Sequence, residues 1–260
     1  MEKRIGKILV LVIYTALSLS NFCVAQDNII YNGSFEELKA CPRTEFDLPM
    51  AKGWQILRGT PDLFAACVPR GEPLGVPNNF NGTRGTFTGS AYAGISLIAF
   101  PNRFKSKYAY QMDEAIYTKL LKPLHSGARY RLSFLISSAD SSYFCTDSLF
   151  CSFSKEPPVS ITPVKGIMGK WNKFKNYDGF GCNINFPIKG SWNLVELEFI
   201  ARNDYNYFSI GLPREYYTMK HYLHDLSNPL KSLSTSKWVE MDGYYYLDNF
   251  ILIKTGDGLN

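Results

Sequence analysis

The predicted folded part of the chain begins with the motif Asn32-Gly33-Ser34-Phe35-Glu36 and closes with Tyr246-Leu247-Asp248-Asn249-Phe250. The first motif predicts an opening β-strand, with Phe35 pointing into a hydrophobic core. The second motif predicts the closing strand of the same domain. If the two strands lie side by side, the carboxylates of Glu36 and Asp248 meet. The alternative is that they are two separate, solvated carboxylates.

Two carboxylates held together need a cation between them, and an oxygen-rich site of this kind suits calcium. We therefore expect a structural calcium ion bound by Glu36 and Asp248. Backbone carbonyl groups near Asn32 or Gly33 are expected to complete its coordination shell.

The composition and the pattern of the remaining chain predict an all-β protein. The chain has 260 residues, and aromatic residues make up 15% of them, which favours pleated and half-buried surfaces. Tyr130, Leu132, Phe134 and Ile136 alternate with other residues, as in a half-buried strand. Many short strands without internal repeats indicate one antiparallel β-sandwich of the jelly-roll type. The expected strands are 29–38, 53–57, 91–97, 114–121, 130–136, 149–153, 192–201, 207–211 and 244–253.

Three expectations concern how these strands are connected. Residues 114–121 fit either a helix or a strand, and a turn at 123–127 favours a strand that forms a hairpin with the next one. Residues 159–191 are expected to be mostly loop. Residues 212–240 are expected to form an excursion from the sandwich, with a short helix around 217–226.

Residues 1–25 predict a cleaved signal peptide, with a basic start, an apolar segment from Ile8 to Leu19 and Ala25 at the cleavage position. The domain is then 26–260, secreted, periplasmic or associated with the outer membrane. No later segment is apolar enough to span a bilayer. Removing the signal peptide lowers the formal net charge from +5 by two. Because the basic residues are scattered, no nucleic-acid partner is expected.

The exported chain keeps an odd number of cysteines, and an oxidising compartment favours disulfides. Cys41 and Cys67 bracket the least regular region, so we predict that they are bonded, with a contribution of about 3–4 kcal/mol to stability. We favour a Cys145–Cys151 bond, which leaves Cys182 unpaired. A Cys145–Cys182 bond is the alternative.

The residues that could support catalysis do not form a recognisable motif. His221 and His224 have a possible metal-ligand spacing but lack the glutamate of a zinc-protease helix, and His125 lies in a turn. Glu196 and Glu198 fall on one face of a strand, as the carboxylate pair of a glycosidase would. A solvated strand face has the same pattern. We predict a protein that is not an enzyme, with a carbohydrate-active hydrolase as the alternative.

Binding residues are easier to find in the sequence. Residues 71–84 form a long irregular loop, and long loops are often functional. Asparagine, aspartate and arginine could bond sugar hydroxyls, or they could hold their own loop together. A tryptophan could stack on a sugar ring or belong to the core. The predicted ligand-binding residues are Trp54, Asp62, Asn78, Asn79 and Arg84.

A string of motifs extends over nearly the whole exported chain. These motifs are Asn32-Gly33-Ser34-Phe35-Glu36, Cys41-Pro42, Gly53-Trp54, Pro61-Asp62-Leu63-Phe64, Cys67, Val76-Pro77-Asn78-Asn79, Gly89-Ser90-Ala91-Tyr92-Ala93-Gly94-Ile95, Phe208-Ser209-Ile210-Gly211 and Tyr246-Leu247-Asp248-Asn249. Together they resemble the N-terminal jelly-roll domain of bacterial secreted and OmpA-associated envelope proteins. That domain is similar to galactose-binding-like folds and carbohydrate-binding modules.

The resemblance implies a structural calcium where the opening Phe-Glu meets the closing Asp, which correspond here to Glu36 and Asp248. It also implies a secreted, non-catalytic module that binds a glycan or a cell-envelope polymer, with a possible protein partner at the cell surface. A purely structural surface subunit is a further alternative. The sequence ends after the closing motif, so the anchoring domain that follows in the family is expected to be absent. The excursion at 212–240 has no counterpart in the family pattern.

Overall fold

The computed structural model describes residues 27–99, 114–142, 144–146, 148–158, 177–183, 189–211, 221–223 and 242–257. The predicted signal peptide and most of the predicted excursion lie outside these residues. Within the described part of the chain, no helix is long and apolar enough to cross a membrane.

The described residues form β-strands and one short 3-10 helix at Leu48–Met50. The strands are β1 (Trp54–Arg58), β2 (Asp62–Ala65), β3 (Asn78–Asn79), β4 (Gly82–Thr83), β5 (Ala91–Ala99), β6 (Ala115–Leu124), β7 (Arg129–Ser138), β8 (Phe144–Thr146), β9 (Ser148–Ser154), β10 (Tyr177–Asn183), β11 (Asn193–Ile200), β12 (Tyr205–Gly211), β13 (His221–Leu223) and β14 (Asp242–Gly256).

Ten of the strands form two five-stranded antiparallel sheets. Sheet I has the order β1-β6-β12-β9-β10, and sheet II has the order β11-β7-β14-β5-β2. Two small ribbons, β3-β4 and β8-β13, complete the described strands. The predicted all-β antiparallel sandwich is therefore confirmed.

The main core lies between the two sheets and follows from the alternation of side chains along each strand. On β7, the predicted inward residues from Tyr130 to Ile136 are buried. The rings of Phe35, Trp54 and Phe250 pack together, with centroids 4.8 Å apart for Phe35 and Trp54 and 5.3 Å apart for Trp54 and Phe250. Burying each such ring contributes about 1.5–3 kcal/mol. Phe35 thus points into the core, as predicted.

The opening segment lies beside the closing strand, but the prediction that 29–38 is a strand is wrong. Asn32 and Phe35 have φ angles of 50° and 60°, in the left-handed region, so the chain turns instead of extending. The N–H of Phe250 donates to the carbonyl of Gly33 at 2.9 Å. A Cβ on Gly33 would lie 2.1 Å from the carbonyl oxygen of Phe250, so only glycine permits this close approach.

The predicted hairpin between β6 and β7 is also wrong, because β6 lies in sheet I and β7 lies in sheet II. The connection between them crosses from one sheet to the other. The N–H of Gly127 donates to the carbonyl of Ala201 at 2.8 Å, so the turn bonds to the connection between β11 and β12. Leu124 and Ala128 anchor the two ends of the turn in the main core.

Two further expectations about irregular regions need correction. Strand β10 lies within 159–191, where mostly loop was expected, and β13 lies where a short helix was expected. Strand β10 was not predicted because Gly179 and Gly181 interrupt any hydrophobic alternation. The ring of Phe150 on β9 occupies the space over Gly179, since a Cβ there would lie 2.1 Å from the ring.

A second hydrophobic cluster covers part of the outer face of sheet II. Its members are Phe64, Val68, Leu74, Tyr92, Ala139, Tyr244 and Tyr246. The covering loop, residues 66–90 between β2 and β5, supplies Val68 and Leu74 to this cluster. The predicted Cys41–Cys67 disulfide is confirmed, with Cα atoms 5.9 Å apart, and it ties the base of the covering loop to the opening segment.

The other predicted disulfide, Cys145–Cys151, stays a prediction. Cys151 is buried in the main core. The side chains of Cys145 and Cys182 lie outside the described residues.

Candidate functional site

The carboxylate of Glu36 is held at the start of β5 by backbone and hydroxyl donors. Its Oε1 accepts hydrogen bonds from the N–H groups of Ser90 and Ala91 at 2.8 and 2.9 Å. Its Oε2 accepts a hydrogen bond from the Ser90 hydroxyl at 2.7 Å. The opening segment is thereby fixed to the strand that neighbours β14 in sheet II.

The carboxylate of Asp248 is buried, and only one of its two oxygens accepts a hydrogen bond within the described part of the chain. Its Oδ1 accepts a hydrogen bond from the N–H of Asn249 at 2.6 Å, whereas Oδ2 has no hydrogen-bond partner among the described residues. Burial raises the pKa of Asp248 to about 8, and the negative charge of Glu36 contributes to the rise. The charge of Glu36 therefore acts on Asp248, but the two carboxylates make their hydrogen bonds with different strands, and their direct approach stays a prediction. A buried oxygen in this state requires either a proton or a cation.

Asn32 does not take the predicted place beside the two carboxylates. Its side-chain amide donates to the carbonyls of Glu37 and Lys52, and its Oδ1 accepts from the N–H of Glu37. Its own carbonyl accepts from the indole Nε1 of Trp54 at 2.9 Å. The described residues contain no group of three or more His, Cys, Asp or Glu side chains that could hold a metal. A calcium ion fits Glu36 and Asp248 only with backbone or water oxygens as the remaining ligands.

Trp54 is not available to a ligand, which corrects its predicted role. Its side chain is fully buried in the main core, against Phe35 and Phe250. Trp54 begins β1 with its ring on the inner face of the sandwich, so a sugar ring has no access to it.

Asp62 is likewise buried and acts within the protein. Its Oδ1 accepts from the N–H of Phe46 at 3.0 Å, and its Oδ2 accepts from the hydroxyl of Tyr244 at 2.5 Å. Burial raises the pKa of Asp62 to about 6. The carboxylate therefore joins the segment before β1 to the second cluster, and the prediction that it contacts a ligand does not agree with its burial.

Asn79 and Arg84 hold the covering loop in place, as the alternative interpretation of the loop proposed. The amide of Asn79 donates to the hydroxyl of Tyr92 at 3.0 Å, and its Oδ1 accepts from the hydroxyl of Tyr246 at 2.8 Å. The guanidinium of Arg84 is buried, lies over the ring of Tyr246 and donates to Asp140 at 3.3 Å. Burial raises the pKa values of Tyr92 and Tyr246, so both hydroxyls keep their protons.

Asn78 differs from the other four predicted ligand residues because its side chain is exposed. Its Oδ1 accepts from the hydroxyl of Thr83 at 3.1 Å. The structure thus leaves one of the five predicted residues at the surface and does not bring the set together as a binding face.

The carboxylates considered for catalysis lie at the edge of sheet II. Glu196 and Glu198 are exposed on β11, opposite Ser133 and Arg131 of β7. His125 lies 4.0 Å from Asp204 in an exposed pair. The side chain of His221, together with His224, lies outside the described residues. These positions place both glutamates on the solvated strand face that was the alternative to a catalytic pair.

The outer face of sheet I carries a polar and aromatic surface whose residues are not among the predicted site residues. The strand register places five residues side by side across the sheet: Gln55, Tyr117, Ser209, Ser152 and Gly179. The next row contains Lys119, Tyr207, Ser154 and Tyr177. We call these two rows the open face.

The tyrosines and serines of the open face are arranged around small residues. The rings of Tyr117 and Tyr207 are both partly exposed, with centroids 6.5 Å apart and an interplanar angle of 56°. The hydroxyls of Ser152 and Ser209 lie 2.6 Å apart and share a hydrogen bond. Flat aromatic faces beside hydroxyl groups can stack on a sugar ring and bond its hydroxyls. The alternation of Tyr117 and Lys119 with Ile116 and Leu120 was the available sequence signal.

No family model matches the sequence, and no curated protein sequence matches it. Among solved structures, the chain is similar to a CBM22-1 xylan-binding domain from Paenibacillus barcinonensis, at 9% identity and a TM-score of 0.42, with 90% of this chain and 97% of that domain covered. It is also similar to a Stig cyclase from Fischerella sp. TAU, at 11% identity and a TM-score of 0.46, with 88% and 98% covered.

A third similar structure holds the CBM22-1 and GH10 modules of a Clostridium thermocellum endo-1,4-beta-D-xylanase complexed with xylohexaose. The identity is 13% and the TM-score is 0.40, with 88% of this chain covered. The chain spans 29% of the length of that protein. A fold is shared by proteins of different function, so the function is inferred from this chain's own residues.

Proposed function

We propose that this protein is an exported, non-catalytic binding module for a glycan or a cell-envelope polymer, and that the open face of sheet I is its binding surface. The observation that carries the proposal is the partly exposed pair Tyr117 and Tyr207 beside the hydroxyls of Ser152 and Ser209. Side chains of sheet strands have their positions set by the sheet, so little conformational entropy is lost on binding.

The chemistry of the open face suits a neutral or acidic polyol better than a nonpolar ligand. The tyrosine rings supply apolar faces, while Ser152 and Gln55 supply donors and acceptors in the same row. Lys119, directly across from Tyr207, adds a positive charge at the edge of this surface. Individual sugar contacts are weak, so the affinity for one short glycan is expected to be on the order of micromolar to millimolar.

The proposal includes a structural calcium ion held by Glu36 and Asp248. The support for it is the buried Oδ2 of Asp248, which has no hydrogen-bond partner among the described residues, together with the charge of Glu36, which helps to raise the pKa of Asp248. When bound, the ion neutralises these two negative charges. Glu36 lies on the opening segment and Asp248 on β14, so an ion shared by both would join these two parts, and it is expected to stabilise the fold and not to contact the glycan directly.

The test is a glycan-array screen of the exported domain, followed by titration of the best glycan with the variants Tyr117→Ala and Tyr207→Ala. Each variant is expected to lose roughly tenfold in affinity, because one stacking surface is removed. Phe87→Ala is the matched control, since Phe87 is an exposed aromatic residue of the covering loop. It is expected to bind as the wild type does.

Three results would contradict the proposal. Binding that is unaffected by both tyrosine variants but lost in Asn78→Ala would place the site on the covering loop. Glycan hydrolysis that is abolished by Glu196→Gln or Glu198→Gln would make the protein an enzyme. A screen without any bound glycan or envelope polymer would favour a structural surface subunit.

A further inference from the structure

Strand β11 forms one edge of sheet II and is its most regular edge. It pairs with β7 in one unbroken register from Asn193 opposite Ile136 to Ile200 opposite Arg129. Among the described residues, no strand pairs with its other edge. An edge of this kind presents free peptide groups to any extended chain that approaches it.

The other three edge strands of the two sheets are short, irregular or interrupted by glycine, whereas β11 is long and continuous. Strand β2 has only four residues, β1 has an irregular register between Ile56 and Arg58, and β10 contains two glycines. Strand β11 has eight residues without Pro, Gly, Lys or a bulge. It also leaves Leu194 and Ile200 61% and 53% exposed. Natural proteins rarely leave such an edge unpartnered.

The hydrogen bonds at the end of β11 show which peptide groups face outward. The N–H of Ala201 donates to the carbonyl of Ala128 at 3.0 Å, on the β7 side. Hydrogen bonding alternates along an antiparallel strand. The peptide groups of the even-numbered residues therefore point to the open edge, and the side chains of the same residues are exposed on the outer face of sheet II. These residues are Leu194, Glu196, Glu198 and Ile200.

The space beside this edge is a groove of about 730 Å³ at the carboxyl end of β11. Its lining includes Glu198 and Ile200 from the outer face of the strand and Phe199 from the inner face. Gly179 of β10 and Gly127 of the β6–β7 turn line it as well. Because residues of both faces of β11 line the groove, the groove lies at the strand edge beside residues 198–200 and between β11 and β10.

We propose that the open edge of β11 binds an extended segment of a partner protein, which adds a strand to sheet II. The segment has basic residues opposite Glu196 and Glu198, and apolar residues opposite Leu194 and Ile200. Glu196 lies opposite Ser133 on β7, so no basic residue lies directly across from it in that strand. Opposite charges across a strand pair stabilise the pairing, and this preference selects the partner.

A second copy of this chain does not have the required chemistry. When residues 194–200 of two copies pair antiparallel, Glu196 of one copy lies opposite Glu198 of the other. A slip by two residues places a glutamate opposite a glutamate and another opposite Leu194 or Ile200. Parallel pairing in register places each glutamate opposite itself. Like charges directly opposite each other destabilise a strand pair, so the two glutamates disfavour self-pairing.

The test uses ¹⁵N-labelled exported protein and a synthetic peptide in which valine, lysine, lysine and valine alternate with threonine. The control peptide carries glutamate in place of lysine. The lysine peptide is expected to shift the backbone amide signals of residues 193–200 and to bind roughly fivefold to tenfold more tightly than the glutamate peptide. In the double variant Glu196→Lys, Glu198→Lys, this preference is expected to reverse.

Glu198 lies opposite Arg131, so the double variant can also perturb the sheet. The single variant Glu196→Lys avoids this contact, and it is expected to weaken binding of the lysine peptide without changing the amide signals of β7. The proposal is wrong if the two peptides bind equally, if neither binds at millimolar concentration, or if the shifts lie outside β11. It is also wrong if the wild type dimerises through β11.

Discussion

The outer faces of the two sheets carry similar residues, but one face is covered by a loop and the other is open. On sheet II, the covering loop buries Tyr244 and Tyr246 in the second cluster. On sheet I, Tyr117 and Tyr207 lie on the open face and stay partly exposed. The strands alternate in the same way in both sheets, so the difference comes from what lies on top of them.

Burying a tyrosine hydroxyl is costly unless it finds a partner. On the covered face of sheet II, Asn79 accepts a hydrogen bond from Tyr246 and donates one to Tyr92, while Arg84 lies over the Tyr246 ring. Polar loop residues are therefore used for folding on this face. On the open face, Tyr117, Tyr207 and Ser152 stay partly exposed and can contact a ligand. The predictions below test this division, from the largest expected effect to the smallest.

The largest effect is expected from removing an aromatic ring on the covered face. Phe64 is fully buried and packs against Tyr92 and Tyr246. Phe64→Ala is expected to lower the free energy of unfolding by about 3–5 kcal/mol, because it leaves a cavity. Leu121→Ala on the outer side of sheet I is the control, since Leu121 is 63% exposed. Its effect is expected to stay within about 0.5 kcal/mol. Equal losses in chemical denaturation would show that the two faces do not differ.

A buried carboxyl group lies beside the covered face, and it predicts that the free energy of unfolding depends on pH. Glu114 accepts hydrogen bonds from the N–H groups of Thr60 and Ser96, and burial raises its pKa from 4.5 to about 7. The folded state thus holds this proton more tightly than the unfolded state. The resulting stabilisation is fully present below about pH 4.5 and is lost as the pH rises through about 7.

This contribution amounts to a few kcal/mol, at about 1.4 kcal/mol for each pKa unit. The measurement is the free energy of unfolding at pH 5 and at pH 8, with EDTA in both solutions so that calcium does not contribute. The Glu114→Gln variant is expected to lose only the share of the decline that Glu114 contributes, because Asp62 and Asp248 also have raised pKa values in this range. An unchanged decline in the variant would contradict the assignment to Glu114.

The third prediction concerns the proposed calcium site, where β14 leaves the second cluster. Calcium at one hundred times its dissociation constant is expected to stabilise the wild type by about 2.7 kcal/mol. Glu36→Gln is expected to lower the melting temperature in calcium buffer toward the value of the chelated wild type. Asp248→Asn is expected to abolish the calcium response. A wild-type melting curve that does not change on addition of EDTA would rule out a stabilising ion.

The smallest effect compares single hydroxyl groups on the two faces. Tyr246→Phe removes the donor to Asn79 and is expected to cost about 0.5–1.5 kcal/mol of stability. Tyr207→Phe on the open face is expected to leave stability unchanged within about 0.5 kcal/mol. Thermal melting of the two variants side by side measures the difference, and a larger loss for Tyr207→Phe would contradict the comparison.

Much of the fold could be predicted from the sequence because alternating burial is a local pattern. The strands now seen as β5, β7 and β11 follow from period-two alternation of apolar residues. The Cys41–Cys67 disulfide follows from two cysteines that bracket an irregular region. Each of these predictions needs only the residues themselves and their order along the chain.

The tertiary structure alone decided which strands pair and which polar residues are buried. The turn after β6 has the sequence of a hairpin, but its N–H at Gly127 bonds to Ala201 and sends β7 to the other sheet. Asn79 and Arg84 are residue types typical of a binding loop. In the folded protein, Asn79 is hydrogen-bonded to the tyrosines beneath it and Arg84 lies over a tyrosine ring. Tyr117 and Tyr207 stay available because no described loop covers them. Burial depends on contacts between residues far apart in sequence, and a local pattern does not encode those contacts.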